Sequence, residues 1–96
     1  MTINELRNNV ELVNEMNETW AELAHLQTKL IEYCNTCQID MVIQISDDMI
    51  SKSEYLAVVI MEVRNKFPET WERCETMLKA NKEILDGLNE IKKKLA

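Results

Sequence analysis

Residues that turn a chain are nearly missing here: 96 positions include one glycine, Gly87, and one proline, Pro68. Sheet folds need such residues at their hairpins and crossovers, so this supply points to a single all-helical domain spanning residues 1–96. Long hydrophobic runs are missing as well. The longest uninterrupted one, Leu56 to Met61, is far shorter than the roughly 20 residues that span a bilayer, and no signal peptide opens the chain. No membrane association is expected. Basic residues are outnumbered, 11 against 17 acidic, for a formal net charge of −6. That balance argues against direct binding of nucleic acid or anionic lipid and leaves basic protein surfaces as the natural partners. Cysteine is limited to three, an odd number that suits a reducing cytoplasm where thiols stay free.

What is present is hydrophobic periodicity, strongest between Thr2 and Cys37. One row reads Ile3, Leu6, Val10, Val13, Asn17, Trp20, Ala24, Gln27, Ile31 and Cys34, in alternating steps of three and four that keep it on one stripe of a helix. A second row reads Leu12, Met16, Leu23, Leu26, Leu30, Tyr33 and Cys37. At about 100° per residue the rows lie side by side over nearly half the circumference, wider than the seam of a two-stranded coiled coil. Such a helix calls for two neighbours. Thr2 with Glu5 forms a capping box, which sets the helix start at residue 2 or 3.

Beyond Cys37 the pattern is weaker. Ile39, Val42, Ile43, Ser46, Met49 and Ile50 keep a helical period, after a turn near Asn35 to Gln38 that no strong breaker marks. Ser51 and Glu54 have the spacing of a second capping box and predict a new helix start, carried on by Leu56, Ile60, Val63 and Phe67. Phe67-Pro68 then breaks the chain, with Glu69 and Glu72 placed as in the first turn of another helix. That last helix runs to Leu95 on Trp71, Cys74, Leu78, Asn81, Leu85, Leu88 and Ile91, with a kink or early end at Gly87 left open. The architecture expected is an antiparallel bundle of three helices, or four if the Ser51 break is real, with a long N-terminal helix and coiled-coil-like packing. An alternative is a long hairpin broken near residues 38 and 68. It would leave one row of the first helix exposed and force a homodimer. A chain this short gains from dimerising in any case.

Few residues suggest catalysis or metal binding. Cys34 and Cys37 form a CxxC, yet no strand precedes it as in a thioredoxin-like site, and zinc would need two more ligands. His25, the only histidine, is nine residues from Cys34, about 13 Å along a continuous helix and too far to share an ion with it. Buried or half-buried apolar thiols are the expectation, with no metal and no cofactor. No serine or cysteine is spaced to work with His25, so no enzyme is expected. Trp20 and Trp71 sit on apolar rows and are expected in the core, as are Met16, Met41, Met49 and Met77.

The feature with most functional content is Glu11, Glu15, Glu18 and Glu22. They are the only charged side chains between Arg7 and Lys29, and their four-three-four spacing puts them on the polar face of the first helix. Like charges so placed cost about 0.2 to 0.5 kcal/mol per pair, whereas a face selected only for solubility intersperses lysines. These four glutamates are the candidate docking stripe for a basic protein partner, including an enzyme that handles nucleic acid.

Leu6-Arg7-Asn8-Asn9-Val10-Glu11-Leu12-Val13-Asn14-Glu15-Met16 followed by Leu30-Ile31-Glu32-Tyr33-Cys34 resembles the first two helices of GAT domains, three-helix trafficking modules. The resemblance covers about 30 residues, departs at Pro68, and implies binding of ubiquitin or coiled coils. Leu6-Arg7-x-x-Val10 is also similar to the opening of all-helical chorismate mutases. Their dicarboxylate site needs several inward Arg and Lys residues, and past Arg7 none stands at the matching helical positions. The function expected is that of a non-enzymatic helical adaptor, inhibitor or chaperone.

Overall fold

The computed structural model describes residues 2–95. Three α-helices follow one another: α1 (Ile3–Asn35), α2 (Ile39–Lys66) and α3 (Trp71–Leu95), with a 3-10 turn at Pro68–Thr70 before the last. No strand occurs among the described residues.

Helix α1 begins where its capping box is written: Thr2 Oγ1 accepts the Glu5 N–H at 3.1 Å, and Glu5 accepts the Thr2 N–H at 3.3 Å. It ends in a Schellman turn, with the Gln38 N–H bonded to the Tyr33 carbonyl at 3.0 Å and the Cys37 N–H to that of Cys34 at 3.2 Å. Cys37 holds the left-handed position at φ 56°, where glycine is usual. This explains a tight reversal with no glycine or proline to announce it. At the second corner the sequence is explicit, since Pro68 biases Phe67 out of helix, to φ −125° and ψ 79°. Between the corners α2 is continuous. The helix start expected at Ser51 does not occur, because neighbouring helices bury Ser53, Leu56, Val59 and Ile60 in an unbroken α2 face. Helix α3 passes straight through Gly87.

Short connections make consecutive helices antiparallel, and α2 takes the middle place. Met16, Leu23 and Leu30 of α1 and Cys74 and Leu88 of α3 bury themselves against Val42, Met49, Leu56, Ile60 and Val63 of α2. Ser46, Ser53 and Ile60 recur every seven residues on α2, and the Ser53 hydroxyl donates to Asn81 Oδ1 at 2.7 Å while Asn81 Nδ2 donates to the Ser53 carbonyl at 2.9 Å. That pair fixes the α2–α3 register from inside. Arg64 fastens the corner, its guanidinium 4.2 Å above the Trp71 ring and paired with Glu75. Trp71 is therefore a stacked surface residue, 51% exposed, and not the core residue its apolar row suggests. Trp20, Met16, Met49 and Met77 do join the core or pack on it.

The first row of α1 is where expectation and structure part. In a closed three-helix bundle both rows would be internal, but among the described residues no Cα of α1 lies within 8 Å of any Cα of α3. The second row meets α2. The first is left along an open groove, with Ile3, Leu6, Val10, Ala24 and Ile31 exposed and Val13 and Trp20 half-buried. The molecule is a rod of 52 × 20 × 17 Å, its long dimension set by α1, whose 33 residues span about 50 Å.

Candidate protein-binding surface

Charge is unevenly divided among the helices. Helix α1 holds six carboxylates against two basic groups, α2 five against three, and residues 68–95 six against six, so the net acidity belongs to α1 and α2. On α1, Glu11, Glu15, Glu18 and Glu22 are all exposed. They divide in two. Glu22 reaches α2 and pairs with Lys52 at 2.6 Å, and Glu15 accepts a hydrogen bond from the Tyr55 hydroxyl. Glu11 and Glu18, one position further round the helix, have no ion-pair partner among the described residues. The face expected to be remote from the rest of the chain is therefore remote only on its Glu11–Glu18 edge, because α2 packs against the second row and its side chains reach the nearer glutamates.

The α2 residues next to the stripe complete the surface. The Tyr55 phenol is held above its ordinary pKa of 10.0, first by its hydrogen bond to Glu15 and then by partial desolvation and the negative charges of Glu15 and Glu62. Tyr55, Val58 and Met61 lie one turn apart on α2 and are 48%, 50% and 39% exposed, an aromatic and two aliphatic side chains turned to solvent beside carboxylates. No local pattern marks Tyr55 or Lys52 as members. Only the α1–α2 register, set by the turn at residues 36–38, brings residue 55 to residue 15.

Other sequence candidates stand apart from this surface. Cys34, in the last turn of α1, and Cys37, in the turn after it, are exposed free thiols and not the buried or half-buried ones expected, whereas Cys74 is buried as expected. No group of three His, Cys, Asp or Glu side chains among the described residues could hold a metal ion. His25 is exposed on α1. The polar members of the apolar rows lie apart from one another: Asn17 lines a hollow with Arg73 and Cys74, Gln27 another with Glu83 and Gly87, and Asn81 is turned into α2. No described helix is long and apolar enough to cross a membrane. Set beside known protein families, curated proteins and solved structures, the chain matches none of them.

Proposed function

We propose that this protein is a non-enzymatic binding module, an adaptor or inhibitor that docks a basic protein surface on the acidic face of α1 and the adjoining edge of α2. The observation that supports it is the exposed row Glu11–Glu18, without internal counter-charges, running beside the solvent-facing Tyr55, Val58 and Met61. Carboxylates steer and orient an Arg- or Lys-rich partner, and a tyrosine beside two aliphatic side chains supplies the anchoring area that charge alone does not. Enzymes that bind nucleic acid present such basic surfaces, and an acidic rod could occupy them. Glu11 and Glu18 are fully outside the core, so replacing both with lysine leaves the fold in place. Affinity capture from the native host tests the reading. The wild-type chain should retain a basic partner and release it as salt rises, and the Glu11→Lys/Glu18→Lys chain should not retain it. Equal capture by both would remove the docking stripe. Titration with ubiquitin is the parallel measurement for the GAT-like resemblance, whose expected partner is different.

A further inference from the structure

The geometry points to a second interaction surface: α1 pairs with the α1 of a second copy, antiparallel and about a two-fold axis, through its uncovered first row. Four observations lead there. The first is an uncharged exposed face. Beside Ile3, Val10, Asn17, Ala24 and Ile31, the next positions round the helix are Arg7, Asn14, Ala21, Thr28 and Asn35, so among these ten positions Arg7 is the single charge. Every glutamate of the acidic stripe is kept to the other side.

The second is a projecting end. The Phe67–Thr70 corner shares a cavity with Val13, Met16 and Asn17, and so meets α1 at that level. Residues 3–10 run past it for about 12 Å, carrying Ile3, Leu6 and Val10 at 85%, 54% and 51% exposure. Nothing among the described residues covers them.

The third is a receptor at the opposite end. Cys34, Ile39, Val42, Ile91, Lys94 and Leu95 enclose an apolar hollow of about 250 Å³, open to solvent. The hollow opens between all three helices where Cys34 ends the row, about 46 Å along α1 from Ile3, so the two cannot meet within one molecule, and a second copy lying beside α1 in the opposite direction brings each to the other. An antiparallel register that sets Ile3 against the partner's Cys34 also sets Leu6 against the partner's Ile31, Val10 against the partner's Gln27, Val13 against the partner's Ala24 and Asn17 against the partner's Trp20. Three of these layers set apolar against apolar, the other two place the uncharged polar Gln27 and Asn17 against Val10 and Trp20, and the two-fold repeats each layer. A parallel pair would join the two projections and leave both hollows empty.

The fourth is charge and area. The same register brings Glu5 to the lysines at the end of the partner's α3, Lys94 among them, and Arg7 to the partner's Glu32. A strip about 50 Å long and about 10 Å wide is about 500 Å² per copy, so about 1,000 Å² in total, which is where specific interfaces begin.

Sedimentation equilibrium of the full chain over roughly 1 to 100 µM should show mass rising from 11.3 kDa to twice that value. Leu6→Glu and Ile31→Lys each alter an exposed side chain, so helical circular dichroism should be unchanged while self-association weakens at least ten-fold. The double variant should recover it, because the antiparallel register sets the new carboxylate against the new ammonium twice per dimer. A chain that stays at 11.3 kDa throughout, or single variants that associate like the wild type, would overturn the interface. A double variant no better than the singles would overturn the register. The Glu11→Lys/Glu18→Lys chain should still dimerise, so failure here and failure of the docking stripe are separate results.

Discussion

At the scale of single residues, Ser46 and Ser53 make a controlled comparison. Both are fully buried on the same face of α2, but Ser53 exchanges hydrogen bonds with Asn81 while the Ser46 hydroxyl has no partner among the described residues. An unpaired buried hydroxyl opposes folding, and a paired one whose loss orphans its mate supports it. Urea denaturation should find Ser46→Ala neutral or stabilising by up to about 1 kcal/mol and Ser53→Ala destabilising by about 1 to 3 kcal/mol. Tyr55 gives the pH counterpart. Its pKa is raised in the folded chain, so the stability linked to it is complete below pH 10.0 and is lost as pH climbs through the raised value. Glu15→Ala removes the acceptor, and with it the first cause of the shift. Ultraviolet titration of the phenolate should then show Tyr55 ionising nearer its ordinary value; an unmoved curve would mean the bond is not made in solution.

At the scale of elements, two positions break the usual punctuation of helices in opposite ways. Cys37 occupies a left-handed helix end that favours glycine, and Gly87 sits inside a helix that favours alanine, with nothing within 4 Å of a methyl group placed there. Cys37→Gly should raise stability by about 1 kcal/mol and Gly87→Ala by about 0.5 to 1 kcal/mol, both read from thermal or urea midpoints. Additivity is expected, since the two lie on different elements. A loss of stability on Gly87→Ala at high protein concentration alone would show that another helix approaches that point. Much of the element level was legible in the chain: the Thr2 box, the Pro68 corner and the end at Leu95 are all local signals. Ser51–Glu54 misled because the same three-residue spacing also fits the interior of a helix, and tertiary burial of the stretch around it keeps α2 whole.

At the scale of the molecule, a rod whose first turns overhang has a part that folds with little support. Residues 3–10 hold helical hydrogen bonds without core contacts, so their amides should exchange rapidly in dilute solution and slow as concentration rises, if a second copy covers them. Exchange independent of concentration would count against that cover. The sequence by itself determined that the chain is helical, where it turns at Pro68, and that α1 has two apolar flanks and one acidic side, because periodicity, capping and charge spacing act over a few residues. Only the tertiary structure decided which flank meets α2, that the other lies open along α3, and that Glu15 and Glu22 are engaged while Glu11 and Glu18 are free. Those outcomes depend on the lengths and register of helices joined by short turns, and contacts between residues 30 or 40 apart leave no trace in the local pattern.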